Sequence, residues 1–170
     1  YIDDQRFGEN IIKQVAEIYR KIRNTLLKYS LGILNNFKPE DIQTDFSLED
    51  KYILDSLNNV LIIIDDSYKN YKFSEIVKVL NNFTIELSSW YFDLIKDEIY
   101  CGRTSSLRTK QIQTTIYKIV SSLLIALAPI IPHTADEAYQ YLPFKKYSSV
   151  HLEDWFNIET NKYLNDDQLN

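Results

Sequence analysis

Apolar residues recur along this chain at steps of three and four. In the first run Ile11, Val15, Ile18, Ile22, Leu26, Tyr29 and Ile33 fall on one stripe of an α-helix. The spacing predicts a helix over about residues 8–35. Its stop is written in Asn35, Asn36, Phe37, Lys38 and Pro39, because the residue before a proline is pushed out of the α region. An acid-rich connector leads to Ser47, which with Asp50 three residues on fits a variant of the capping box. A second helix follows over about residues 48–70, with Leu54, Leu57, Leu61, Ile64 and Tyr68 on its stripe. The β-branched run at 62–64 does not interrupt the three-four spacing. A third helix is predicted over about residues 73–100. Its Ile76, Leu80, Phe83, Leu87, Trp90 and Leu94 alternate strictly by four and three, the pattern of helices packed at shallow angles. The short link makes the second and third helices antiparallel neighbours.

Gly102 stands where a helix-ending glycine is expected. After the polar segment RTSSLRTK, a fourth helix spans about residues 106–127, with Ile112, Ile116, Ile119, Leu123 and Leu127 inward and Pro129 and Pro132 closing it. Thr134 and Glu137 stand in capping-box register and open a short fifth helix to about residue 142. The pattern therefore predicts an all-α bundle of four long helices plus a short fifth, over residues 1–156. Residues 157–170 read as a polar tail or linker, its last ten rich in Asn and Asp and expected to be poorly ordered.

Composition agrees. Three glycines and four prolines supply few of the turns that a sandwich or barrel needs. A chain of 170 residues with 45% hydrophobic content has material for one domain with a real core, and no apolar run reaches the 18 residues of a spanning helix. The lone Cys101 offers no internal disulfide, which suits a reducing compartment. No leader pattern opens the sequence, and the absence of any Met suggests an internal piece of a longer chain.

Charge changes the picture more. A net charge of −5 argues against a general nucleic-acid binder. The charges are nevertheless segregated. Between Glu17 and Glu40 there is no acid, only Arg20, Lys21, Arg23, Lys28 and Lys38. From Ile99 to Ala135 there is again none, and Arg103, Arg108, Lys110 and Lys118 fall inside. Residues 40–66 are the reverse, with eight acids against Lys51. Segregation of this kind can give an acidic domain one positive face, or can be uneven solvation of helix surfaces; charge alone leaves both open.

No nucleophile elbow, Gly-rich phosphate loop, Cys cluster or HExxH pattern is present. His133 and Glu137 lie four apart, but without a third ligand the capping role for Glu137 outweighs a shared metal. The aromatic content, 13 Tyr, 8 Phe and 2 Trp, is chiefly core material, yet an exposed ring beside a cation is a stacking platform for an unpaired base. Tyr19, one turn before Arg23, and Tyr29, next to Lys28, fit best. Arg23 follows the inward Ile22, so it sits at the stripe boundary. It can contact RNA through its planar fork or clamp the first helix to the third through a carboxylate such as Asp93.

The segments YRKIRNTLLKYSLGILNNF, WYFDLIKDEIYC, LAPIIPHTADEAYQYLP and SVHLEDW, in this order, resemble the anticodon-binding helical domain of class I isoleucyl-tRNA synthetases of bacterial or organellar type. The LAPIIPHTADE form is shared with the valine and leucine enzymes, while Arg23-Asn24-Thr25, SSWYFDLIKD and SVHLEDW point to isoleucine. The resemblance implies a parent ligase that attaches isoleucine to tRNA(Ile) using ATP with Mg, with zinc a further candidate. It implies no cofactor in this segment, where the catalytic signatures are missing. The expected partners are the tRNA(Ile) anticodon stem-loop and the catalytic and editing domains of the same chain, with no membrane. The expected location is the bacterial cytoplasm, or an organelle. A related synthetase contacts anticodon bases from the positions of Arg23 and Tyr19, and stacks a tryptophan near Glu98, where Tyr100 or Arg103 are the available substitutes. The full set of expected RNA contacts is Tyr19, Arg20, Lys21, Arg23, Lys28, Arg103, Arg108 and Lys110. The alternatives are the corresponding domain of a valyl, leucyl or methionyl enzyme, or a helical module that docks a protein through an exposed apolar stripe.

Overall fold

The computed structural model describes residues 8–102, 106–158 and 163–164. The predicted all-α architecture is what these residues form: four long helices and a short fifth. Helix α1 is α-helical over Glu9–Arg20, widens into a π-helical stretch over Lys21–Tyr29 and closes as an α-turn over Ser30–Ile33. It ends at Asn36, whose φ of 64° is the left-handed conformation that Asn tolerates at a helix C-terminus. Helix α2, Leu48–Lys69, begins with the predicted capping box: Asp50 N donates to Ser47 Oγ at 3.3 Å, and Ser47 N donates to the Asp50 carboxylate at 3.4 Å. Helix α3 runs through Phe73–Glu86, a π-helical turn Leu87–Tyr91, and Phe92–Cys101. Helix α4, Leu107–Leu127, is capped by Ser106 Oγ, and helix α5 is Pro132–Gln140.

Three expectations shift. Pro132 does not close α4; it is the first residue of α5, where its missing N–H costs nothing. Thr134 is accordingly inside α5 and caps nothing. In α3 the π-turn inserts one extra residue, which rotates the inward stripe by one position. Leu94, expected inside, is 52% exposed, while Tyr91 and Ile95 are buried at 0% and 1%. In α1 the stripe holds only from its middle onward. Ile22, Leu26, Leu27, Ile33 and Leu34 are buried, but Ile11 and Val15 are 47% and 59% exposed. Among the described residues, no element covers the first two turns.

Helix α4 is the axis of the core. Its Ile112, Ile116, Ile119, Val120, Leu123 and Leu124 are all buried, each worth about 1.5–3 kcal/mol of transfer free energy. The antiparallel α2–α3 pair covers one side of it, and α1 and α5 cover another. Gly102 is extended (φ −72°, ψ 163°) rather than left-handed. Its requirement is space, because a Cβ there would lie 2.2 Å from the Glu98 carbonyl oxygen.

A buried polar cluster ties three helices together. Asp50 is fully buried on α2 and accepts from the Tyr91 hydroxyl of α3 at 2.6 Å. It also receives the fork of Arg108 from α4, Nη2 at 3.2 Å from Oδ1 and Nη1 bonded to Oδ2. Burial, reinforced by the Asp50 charge, pushes the Tyr91 hydroxyl pKa well above its ordinary value. The chain after α5 is pinned in turn: Ser149 Oγ and Val150 N donate to Asp136, and Trp155 Nε1 donates to Asp65 at 3.1 Å. Within the stretch expected as a polar tail, Tyr163 N and Leu164 N donate to Asp55 at 2.7 and 2.9 Å, and Leu164 is buried.

Candidate nucleic-acid interface

A groove of about 660 Å³ lies between α1 and α5. Its apolar base is formed by Leu27, Leu31, Leu34 and Ala138. The α1 wall comes from the π-helical stretch, which presents Arg23, Asn24 and Lys28 to the groove while Ile22 and Leu26 enter the core. Asn35 and Asn36 add amides where α1 ends. Across from them stand Thr134 and Glu137 of α5 and then Tyr141, which is 70% exposed. Two cations, three amides and a solvent-facing ring over an apolar base offer phosphate attraction, hydrogen-bonding edges and a stacking face in one place. A π-helical stretch at such a place fits the tendency of these turns to mark functional sites.

The expected contact residues separate into three groups. Arg23 and Lys28 line the groove. The Lys28 side chain makes no ion pair or hydrogen bond among the described residues, and Arg23 has only a long ion pair, Nη2 to Glu137 Oε2 at 3.8 Å. Its expected clamp partner Asp93 binds Lys96 instead, at 2.6 Å. Tyr19 borders the same region, its hydroxyl 2.9 Å from Thr134 Oγ1, which ties α1 to α5. Arg20 pairs with Glu17 on its own helix at 2.5 Å, and Lys21 is exposed beyond the groove.

The second group is occupied elsewhere. Arg108 is committed to Asp50, and Lys110 Nζ lies 2.7 Å from Asp41, whose pKa is lowered chiefly by that hydrogen bond. Arg108 and Lys110 of the second acid-free stretch thus meet acids of residues 40–66 across the fold. Arg103, the third case, lies outside the described residues.

One aromatic expectation also changes. Tyr29 packs on Phe92 with ring centroids 4.6 Å apart, and burial, with Tyr100 beside it, pushes its pKa up to about 12. It is bundle material rather than an open platform. Glu98 accepts from Ser106 Oγ at 2.6 Å and from Thr109 Oγ1 at 3.2 Å, securing the start of α4. Tyr141 is the ring that sequence reasoning missed. It sits 118 positions after Arg23, and no spacing rule links a residue past α5 to the middle of α1. Among the described residues there is no cluster of three or more His, Cys, Asp or Glu side chains for a metal, and no helix is long and apolar enough to cross a membrane.

An all-α bundle with this groove belongs to a defined class. Residues 50–169 match the family described as the anticodon-binding domain of tRNA ligase, and the chain belongs to that family. Its relatives include the isoleucine–tRNA ligase of Ureaplasma parvum serovar 3, 45% identical over 159 residues, which are 92% of this chain and 18% of that protein. That of Mycoplasmoides gallisepticum is 45% identical over 175 residues, 99% of this chain and 19% of the relative. That of Fervidobacterium nodosum is 39% identical over 172 residues, with the same coverage of 99% and 19%. The chain spans about a fifth of the length of these curated relatives.

Proposed function

We propose that this chain is the domain of an isoleucine–tRNA ligase that receives the anticodon arm of tRNA(Ile), with the α1/α5 groove as the seat of unpaired loop nucleotides. The observation that carries the reading is the convergence of Arg23, Lys28, Asn24 and Tyr141 on one groove. Family membership and the isoleucine–tRNA ligase relatives support it. Arg23 and Lys28 attract the phosphates, the amides meet base edges, and Tyr141 stacks. Arg20 and Lys21 are outer phosphate contacts of the same reading, and Arg103 is a further phosphate contact in it. Arg108 and Lys110 act through the bundle they hold together, since their charges are already paired.

The parent polypeptide then activates isoleucine with ATP and Mg and transfers it to tRNA(Ile) in the bacterial cytoplasm, with zinc, where present, held in its other domains. This domain holds the RNA while chemistry occurs elsewhere in the chain. Few phosphates are within reach of free cations, so affinity for an isolated stem-loop is weak and falls with salt. Filter binding at low salt against the tRNA(Ile) anticodon stem-loop and an unrelated hairpin tests the reading. Equal affinity for both would refute recognition by this domain.

A second reading rests on the uncovered front of α1. Ile11, Ile12 and Val15 form an exposed apolar face, which fits docking against the catalytic or editing domains of the same polypeptide. Sedimentation at micromolar concentration tests it: an uncovered face of this kind promotes self-association, and a strictly monomeric chain counts against it.

A further inference from the structure

Glu137 is the one carboxylate among the residues that line the groove. It faces Arg23 there and shares the groove with Lys28, and its position on α5 is fixed by the buried Ala135, Ala138 and Tyr139 that flank it on the helix. A groove built only to attract a phosphodiester backbone gains nothing from a negative charge. The charge is not spent on holding the fold either. Its contact with Arg23 is 3.8 Å long, both side chains are more than half exposed, and the α1–α5 junction has a shorter tie in the Tyr19–Thr134 hydrogen bond at 2.9 Å. An exposed pair of this length contributes little to stability.

From this arrangement we infer that Glu137 is a specificity-determining residue of the groove: it accepts a hydrogen bond from an N–H on the Watson–Crick edge of an unpaired base, and in doing so releases Arg23 to a phosphate. The inference rests on the RNA-binding reading above and deepens it by naming the chemistry of the base. A carboxylate has acceptors only, so it favours an edge with two adjacent donors, as in the N1–H and N2 amino group of guanine, over edges where a single donor stands beside a carbonyl or bare ring nitrogen. The same charge repels any backbone that enters without such a base. In the empty groove Arg23 and Glu137 partly neutralise each other, which weakens attraction for arbitrary RNA. A base that occupies Glu137 removes that neutralisation, so the correct loop gains a second contact that an incorrect loop does not. Asn24 and Asn35, which both donate and accept, cannot supply this asymmetry.

The test is fluorescence anisotropy with the full-length ligase that contains this chain, and in parallel with the chain itself. The probes are a panel of hairpins with single-base changes at each unpaired loop position, including guanine-to-inosine changes that delete one amino group. The wild type is compared with Glu137→Gln and Glu137→Asp. Glu137→Gln keeps the shape but lets the side chain donate as well as accept. It should bind unrelated hairpins roughly threefold more tightly, as expected for losing one exposed like charge. Its preference for the donor-bearing loop base should fall by about fivefold or more, the lower end of a good base contact. Glu137→Asp keeps the charge and withdraws it, so it should leave the affinity for unrelated hairpins near wild type while losing the base preference. If Glu137→Gln tightens all hairpins equally and keeps the wild-type ranking of bases, Glu137 reads no base and the inference is overturned. A wild type that ranks no loop above any other sinks the anticodon-arm reading itself, a different result from a ranking that survives the substitution. Unchanged melting temperatures in both variants confirm that the readout is the groove and not the fold.

Discussion

Arg108 separates holding the bundle from holding RNA, and Arg108→Ala makes the separation measurable. Its side chain is 32% exposed and meets the Asp50 side chain, which is 0% exposed. Removing it leaves Asp50 buried with only the Tyr91 hydroxyl at 2.6 Å and the Ser47 amide at 3.4 Å as donors. Breaking a buried pair on one side costs about 3–5 kcal/mol because a charge is left uncompensated. The two surviving donors and the partial access of water to the site place this case near the lower bound, about 3 kcal/mol. For a domain of this size each kcal/mol moves the melting temperature by about 2–4 °C, so a fall of roughly 6–12 °C is expected by circular dichroism. RNA affinity, measured well below both transitions, should stay within about twofold of wild type, since the charge of Arg108 is already answered by Asp50. The double variant Asp50→Asn with Arg108→Met should recover part of the loss, because no buried charge then lacks a partner. A melting point within about 2 °C of wild type, less than 1 kcal/mol accounts for, would refute the structural role. A large loss of RNA affinity in the folded variant would return Arg108 to the interface.

Three further outcomes follow from the geometry. Tyr141→Ala should weaken stem-loop binding by about 1–3 kcal/mol without moving the melting temperature, whereas Tyr29→Ala should lower stability, and a comparison of the two by anisotropy and thermal denaturation tells platform from core. Because the π-turn rotates the α3 stripe, Ile95→Ala should cost about 2–5 kcal/mol in urea denaturation and Leu94→Ala about 0.5 kcal/mol or less; the reverse order would mean that α3 continues as a regular α-helix. Asp41 has a folded-state pKa below its ordinary value, so its contribution is present above that value and is lost as pH falls through the lowered one. Asp41→Asn should therefore lower the melting temperature at neutral pH and flatten its decline below about pH 5, the variant and wild-type curves converging in acid.

The periodicity of apolar residues was enough to determine the helices. Three-four spacing reports which side of a helix avoids water, and that preference is local, so α2 and α4 lie where their stripes and caps put them. The family too was legible, because its segments are contiguous runs of sequence. Where α3 departs from its pattern the cause is not local. Nothing in SSWY marks a π-turn, and the extra residue is accommodated because Tyr91 gains the carboxylate of Asp50, 41 positions earlier. The interface was legible only in part for the same reason. Sequence identifies cations but not their partners: Arg108 and Lys110 are as basic on paper as Arg23 and Lys28, and only packing brings Asp50 and Asp41 to the first two. Likewise Tyr29 and Tyr141 are both tyrosines near cations, yet one is pressed onto Phe92 and the other left in the groove. Chain order was enough for the helices of the bundle and for the excess of positive charge on α1, while the place of α4 at the centre of the core came from packing. Tertiary structure decided which of those charges remain available and set Glu137 against them, because coulombic and hydrogen-bonding interactions depend on separations of a few ångströms that chain order does not encode.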